Sequence, residues 1–523
     1  MDSQKESNED SPFIRVHQIS NGNQREEIHN FTIENREKPT QETAWKSIYI
    51  GGLCSFIQTT QFTIFFPSMW PYILTVQLCF LFDIFLYLLY FQLQPDLKQS
   101  SFGIVVASYS FTQCIFSPLF GYWSNKIGQV RFPMIVGFII MAFGNVVYLS
   151  LQYWPAYHLY VMMFSRLIAG AGSGNVSLLR AYASTASLSK DRSKAIACVS
   201  GGIAIGSMIG PGLQLLFTPL GADGITVLGL KLDIYTAPAL LCLVINTIGL
   251  MIVQFAFVEN HIQLVDQNAG NEEEEEEKKK KLMNPCMIAI SVCIFTRFTQ
   301  QFINTTIESI DAAYAMMMFS FEKEEAVAMN ATMHTISGAI AAALYLCFIF
   351  TGVRNIKNRI YTVISLAIPL AWILSTYPYN FYSNHVKMMG NGSDADCDFN
   401  KYTWCSDLTT VPIWAYYAGF ILVFGISFSI MNITNTTLFS KVVGPRPQGT
   451  YQGIYQMAGS FGRMIAPLLM STTYTFFGPR IPWLILIVNF VSVIAAWIVL
   501  REKMVPFEKY EAKRIQPTLQ FSR

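Results

Sequence analysis

Apolar runs of about 20 residues, the length a helix needs to cross roughly 30 Å of hydrocarbon, recur along the chain from Trp45 to Leu500. A chain of this pattern has lipid as its main solvent. In lipid a spanning segment must satisfy its own backbone N–H and C=O groups, so helices are the expected unit. Charge agrees, because only 13% of the 523 residues are charged where an ordinary soluble protein carries roughly 25%. Hydropathy places twelve spans near residues 46–72, 101–122, 132–152, 158–183, 193–218, 232–258, 285–319, 324–350, 358–378, 411–440, 449–477 and 480–501. The expected fold class is an all-α membrane protein. A net charge of +2 gives no electrostatic reason to expect nucleic acid, so the expected partners are membrane lipid and a small-molecule or ion substrate.

With the N-terminus in the cytosol, one set of loops carries Lys126 and Arg131, then Lys190, Arg192 and Lys194, then Arg354, Lys357 and Arg359, then Lys441 and Arg446. This satisfies the positive-inside rule and puts both termini in the cytosol. Residues 1–44 are polar, lack the apolar core of a cleavable signal peptide, and read as a disordered cytosolic tail. Six spans fall within 45–258 and six within 285–501. Between them, in 259–284, Glu272 to Glu277 precede Lys278 to Lys281, a charge block that reads as a solvated linker, and 502–523 forms a second cytosolic tail. The long loop at about 379–410, on the opposite face, holds the glycosylation sequon Asn391-Gly392-Ser393 together with Cys397 and Cys405. That face is the oxidising one during biogenesis, so a Cys397–Cys405 disulfide is expected, with two free thiols as the alternative. The ten cysteines form no C-x-x-C pair and have no companion histidine spacing, so no metal and no cofactor are expected.

Residues 76–92, Val76 to Gln92, do not fit the twelve-span count: they are apolar but short, and Asp83 interrupts them. A re-entrant or interfacial piece is one reading. The preferred one is translated intron, since introns begin with gt, which can encode Val, and end with cag, which encodes Gln.

After the second span comes Gly121-Tyr-Trp-Ser-Asn125-Lys126-Ile-Gly128-Gln-Val-Arg131. It resembles the cytosolic loop signature of the major facilitator superfamily, G-x-x-x-D-x-x-G-R-K/R-x-G/R, with Asn125 at the aspartate. Asparagine cannot supply a charged latch, but it can cap a helix and accept hydrogen bonds. Arg166-Leu-Ile-Ala-Gly170-Ala-Gly172-Ser-Gly174-Asn175 resembles the superfamily's helix-four arginine motif. Gly202, Gly206, Gly210 and Pro211 resemble its antiporter-associated motif, although the same spacing also serves plain helix packing. Gly206 to Pro211 in span five is in turn similar to Gly462 to Pro467 in span eleven, a weak internal repeat. The resemblance implies the major facilitator fold, two pseudo-symmetric six-helix bundles with a pathway between them.

The likeness narrows at Ser108-Tyr-Ser, Ser117 to Asn125, Gly172 to Tyr182, Ile234-Tyr-Thr-Ala-Pro238 and Lys441 to Gly449. These segments resemble the lysosomal branch linked to late-infantile neuronal ceroid lipofuscinosis. That resemblance implies a multi-pass lysosomal or late-endosomal glycoprotein, proposed variously as a solute transporter and as a chloride-conducting channel. The branch uses an acidic dileucine sorting signal read by adaptors. Glu9-Asp10-Ser-Pro-Phe13-Ile14 is the candidate here, with Phe13 where leucine is usual.

Ionisable groups at membrane depth need partners or water. Arg297, Gln301, Asn304, Glu308 and Asp311 recur at helical spacing in span seven and share one face, which is expected to line a cavity. A buried structural network is the alternative. Glu308 matches the superfamily's acidic position, and His334 in span eight titrates in the physiological range, so both are candidates for proton coupling. A core histidine is the plainer reading of His334. Arg166 and Arg463, from opposite halves, are candidates to hold an anion or carboxylate, or to bridge helices. No phosphate loop, H-E-x-x-H or nucleophile elbow occurs, so an enzyme is not expected. The expected function is secondary transport of a small polar or anionic solute by a monomer, with an endolysosomal chloride channel as the alternative.

Overall fold

The computed structural model describes residues 42–65, 97–154, 157–221, 224–227, 230–260, 284–351, 357–382, 384–387, 403–405 and 408–511. The expectations for Glu9, Phe13, Ile14, Arg354, Asn391, Cys397, residues 76–92 and the charge block lie outside these.

Each expected span contains a helix. In the first half these are α1 (Trp45–Thr63), α2 (Leu97–Ile127), α3 (Arg131–Leu149), α4 in two parts (His158–Ser173 and Val176–Thr185), α5 (Arg192–Gln214) and α6 (Ala237–Phe255). In the second they are α7 (Met287–Phe319), α8 (Lys323–Phe350), α9 (Asn358–Ser375), α10 (Ile413–Ile421 and Phe428–Val443, joined through the π-helical turn Leu422–Ser427), α11 (Gly449–Phe477) and α12 (Arg480–Val499). One feature was not anticipated. Between α5 and α6 the chain forms a small antiparallel hairpin, β1 (Ile225–Val227) and β2 (Leu230–Leu232), with Ile225 opposite Leu232, so the sixth helix begins at Ala237 rather than 232. The end at which α1 begins and α12 finishes is called the terminal face below.

Eight of these helices are long and apolar enough to cross a membrane. The four that fall short are α1, α4, α7 and α11. Their shortfall has a physical reason. α4 is broken at Gly174-Asn175, and the other three carry buried amides and charges, Gln58 and Gln61 in α1, Arg297 and Gln300 in α7, Gln452 and Gln456 in α11. Helices so polar cannot face lipid, so they turn inward and the apolar helices surround them.

Glycine sets how closely the inner helices approach. A Cβ on Gly206 of α5 would sit 2.7 Å from the Phe56 carbonyl oxygen of α1, and Gly202 and Gly210 meet α1 at Gly52 and Thr63. The second half repeats the arrangement: a Cβ on Gly462 of α11 would lie 2.9 Å from the Phe298 carbonyl oxygen of α7. The fifth helix of each half thus packs on its first helix through small residues, as the repeat in the sequence foreshadowed. Packing explains Gly206 and Gly210 without recourse to exchange chemistry.

One apolar cluster draws only on residues from Cys286 to Met504, built around Tyr314, Tyr416, Trp372 and Trp483. The buried indoles find partners: Trp372 donates to the Tyr416 carbonyl at 3.0 Å and Trp483 to the Thr376 hydroxyl at 3.0 Å. Two further clusters belong to the first half, and Tyr345 and Ile349 of α8 reach into one of them beside α5. The halves therefore meet along α5–α8 and α2–α11.

Gly206→Val places a branched side chain against the α1 backbone, which costs about 1–3 kcal/mol of overpacking, whereas Gly212→Val enters open space. Thermal melting of the detergent-solubilised protein is expected to drop by several degrees for the first and to stay put for the second. Equal melting of the two variants would show that α1 and α5 do not meet as described.

Candidate functional site

The inward faces of α4, α7 and α11 bring together three arginines that are far apart in sequence, Arg180 and Arg297 buried and Arg463 half-buried. Arg297 is 5% exposed and donates through Nη1 to Gln300 Oε1 and Asn432 Oδ1, both at 3.0 Å. Asn432 donates in turn to the Tyr345 hydroxyl, and the Tyr455 ring lies 5.7 Å from the Arg297 guanidinium. Arg180, 1% exposed, reaches from α4 to Gln456 Oε1 of α11. Arg463, at the midpoint of α11, donates to Gln113 Oε1 of α2 and lies over the Phe62 ring of α1. Gln113 also donates to Ser173 Oγ of α4 at 3.0 Å and accepts from Ser460 at 2.8 Å, which ties the two halves together at mid-depth.

The three guanidiniums lie within electrostatic reach of one another. The acid that answers them is Glu308, which interacts with Arg463 and accepts a 2.6 Å hydrogen bond from Asn304. Since guanidinium stays charged in proteins, the cluster carries more positive than negative charge. Each of the three arginines also keeps an Nε with no hydrogen-bond partner among the described residues. Leaving a charged donor unsatisfied in a buried site costs on the order of 1–3 kcal/mol, so the arrangement is suited to an added acceptor. Glu308 is exposed, is hydrogen-bonded to Asn304 one turn earlier on the same helix, and lies within electrostatic reach of Arg463.

Arg166 is separate. It is 4% exposed, rests 4.0 Å from the Phe65 ring centroid, and its Nε and Nη2 have no hydrogen-bond partner among the described residues. A cation–π contact contributes about 0.5–2 kcal/mol, less than the roughly 2.5–3.5 kcal/mol of placing a cation at bilayer depth. Arg166 is therefore another group in need of an anion or water.

The polar face expected on α7 divides in two. Arg297, Gln301, Asn304 and Glu308 face α11; Gln301 and Arg297 both flank Gly459 there. Asp311, 4% exposed, instead accepts a 2.6 Å bond from the Tyr416 hydroxyl of α10. His334 of α8 lies 3.8 Å from Asp311, not beside Glu308, and its ring meets Phe420 edge-on. The structure thus groups His334 with Asp311 and keeps Glu308 with the arginines.

At the terminal face, Asn125 makes the closing contact between the halves. Its Oδ1 accepts from the Gly449 backbone N–H at 3.0 Å at the start of α11, and its Nδ2 donates to Thr450 Oγ1 at 2.9 Å. Gly121, one turn earlier, abuts the Gly449 carbonyl directly, where no Cβ would fit. Gly121 and Asn125 sit in the last turns of α2, which runs to Ile127, rather than in the loop beyond it. Gly128 has φ +65°, the left-handed turn that releases the chain into α3, and Lys126 lies exposed in the last turn of α2. Arg131 binds the Gln254 carbonyl at the end of α6, while Glu259 accepts from the Val130 and Arg131 backbone N–H groups at the start of α3. Pro211 lies within α5 just past Gly210. On the opposite face Cys405 is 1% exposed and disulfide-bonded.

Sequence reasoning overlooked Arg180 and Gln113. Arg180 fell inside Gly172 to Tyr182, a stretch read for its likeness to a family. A basic residue in a segment without an acid was the available signal.

A broken and glycine-packed set of polar helices, enclosed by apolar ones and divided into two halves that touch along α2–α11 and α5–α8, is the architecture of a membrane solute transporter. The Major Facilitator Superfamily model matches residues 51–390 and 402–522, and the chain belongs to that superfamily, which comprises transporters rather than enzymes. It is similar to major facilitator superfamily domain-containing protein 8 of Xenopus laevis, 27% identical over 466 residues, covering 84% of this chain and 88% of that protein. Among solved structures, the human organic anion transporter MFSD10 aligns with a TM-score of 0.60 at 15% identity, covering 87% of this chain and 99% of that one. The proton:xylose symporter XylE aligns with a TM-score of 0.62 at 14% identity, covering 90% and 98%. At such identities these two establish the fold.

Asn125→Ala removes both hydrogen bonds at the terminal face, a cap worth about 0.5–2 kcal/mol, and leaves the helices themselves intact. A cysteine placed at the buried Gln452 of α11 is expected to react faster with a membrane-impermeant maleimide in the variant than in the parent. Unchanged labelling would mean that Asn125 does not hold this end shut.

Proposed function

We propose that the protein is a secondary transporter of a small anionic solute across a lysosomal or late-endosomal membrane, working as a monomer by alternating exposure of a mid-depth site. The observation that carries the reading is the gathering of Arg180, Arg297 and Arg463 within electrostatic reach of one another, with Glu308 near Arg463, an excess of positive charge with donors left over. Carboxylates and phosphates are the acceptors whose geometry matches guanidinium. The Asn125–Gly449 contact closes the terminal face while Glu308 keeps accessible surface nearer the other, which fits one state of an alternating-access cycle. The alternative, a passive chloride pore, needs a route open to both faces at once. Closure at Asn125 weighs against it.

With both termini in the cytosol, the terminal face is the cytosolic one and Glu308 lies toward the lumen. Glu308 beside Arg463, and the Asp311–His334 pair, are the groups we assign to proton coupling. Lysosomal placement rests on the sequence likeness and on Glu9, Phe13 and Ile14 as a sorting segment, with Asn391 glycosylated and Cys397 bonded to Cys405 on the lumenal side.

Proteoliposomes loaded for exchange test the reading with radiolabelled dicarboxylates, organic phosphates and chloride. Arg463→Gln and Arg180→Gln are each expected to lower anion uptake about tenfold, the effect of losing roughly 1.4 kcal/mol of binding. Glu308→Gln is expected to retain exchange but to lose its response to a pH gradient. Uptake untouched by both arginine substitutions would remove the anion site, and single-channel currents would replace the carrier by the pore.

A further inference from the structure

A second basic site lies apart from the central one, at the terminal face of the second half. There the start of α9, the ends of α10 and α12 and the segment after α12 enclose a cavity of about 740 Å³. Lys357, Arg359, Lys441, Arg501 and Lys509 contribute to its lining, and among the described residues no acidic one does. Glu508 interacts with Lys441 from outside the lining. Arg359 spends one donor on the Arg501 carbonyl at the end of α12, which pins two walls together and leaves its other donors available. The start of α9 has no side-chain cap, so its first backbone N–H groups add to the positive field. The segment after α12 is a fixed wall: Met504 and Phe507 are 0% and 3% exposed, and Lys509 follows them on the exposed side of a helical turn.

The wall toward the membrane is apolar. Ile360, Ile364 and Ile498 line the cavity and are each at least half exposed along the outer surfaces of α9 and α12. A site that is cationic where helices leave the bilayer, and apolar along the adjoining helix flanks, has the polarity of a lipid molecule seated at the interface. Five cations without an acid exceed what one phosphodiester neutralises, and the volume exceeds a single phosphate. We propose that this cavity binds an anionic phospholipid whose headgroup carries further phosphate groups, a phosphoinositide, with its acyl chains lying along Ile360, Ile364 and Ile498. The site does not depend on the transport reading, since no residue is shared with the arginine cluster.

Native mass spectrometry of the full-length detergent-solubilised protein tests this with dioctanoyl phosphatidylinositol bisphosphate, the matching phosphatidylcholine, and soluble inositol trisphosphate. Retention of the phosphoinositide, little retention of phosphatidylcholine, and weakening with added salt are expected. Lys509→Gln and Arg501→Gln, both at exposed positions, are each expected to weaken binding about fivefold, the effect of one cation near a charged surface. Thermal melting verifies that both variants fold. If Arg501→Gln melts early, Lys509→Gln alone and the salt series decide. Equal retention of phosphatidylcholine, or affinity unchanged by the substitutions, overturns the site. Inositol trisphosphate binding as tightly as the lipid overturns the lipid as its occupant.

Discussion

Everything in this molecule follows from the cost of polarity in hydrocarbon. A cation at bilayer depth costs roughly 2.5–3.5 kcal/mol on insertion scales, and the chain carries Arg166, Arg180, Arg297 and Arg463 within its helices. The helices that bear them cannot be outer helices. The same constraint makes α1, α7 and α11, together with the broken α4, the four described helices that fall short of the length or apolarity of a spanning helix. Their polarity is a statement about their position: they are inside because the alternative is unsatisfied charge in lipid.

Close approach of the inner helices is the second requirement, and glycine meets it. Gly206 against Phe56 and Gly462 against Phe298 bring α5 onto α1 and α11 onto α7 with backbone in contact with backbone. Those contacts are internal to each half. Between the halves α2 also lies directly against α11, with Gly121 on the Gly449 backbone and Gly453 on Ser117, and side-chain hydrogen bonds add to the packing: Arg180 to Gln456, Arg463 and Ser460 to Gln113, Asn125 to Gly449 and Thr450. Two halves that meet along smooth small-residue helix faces and exchangeable hydrogen bonds are suited to rocking. Several of the bonds that join the halves are made by the arginines of the candidate site. An anion binding there would compete for the same donors, which couples occupancy of the site to the contact between the halves.

Replacement of the superfamily's aspartate by Asn125 changes the chemistry of closure without abolishing it. The amide serves as acceptor for the Gly449 N–H and as donor to Thr450, two roles that a carboxylate cannot combine. This contact is consequently neutral and does not depend on the protonation of a carboxylate.

Among the described residues, sequence alone placed a helix in each of the twelve expected spans, because a 20-residue apolar run in lipid has one structural solution. It also determined the small-residue faces of α5 and α11, which the repeat displayed, and the role open to Asn125, which side-chain chemistry limits. It did not determine which polar groups meet. His334 and Asp311 come from α8 and α7, and periodicity along one helix assigned Asp311 to the face of Glu308, whereas packing against α10 turned it toward Tyr416. Arg180 joined the site because the second part of α4 packs against α11, where Gln456 meets it. Helical spacing reports neighbours on one rod. Partners across rods depend on rotation and crossing, which close packing of all twelve helices sets together.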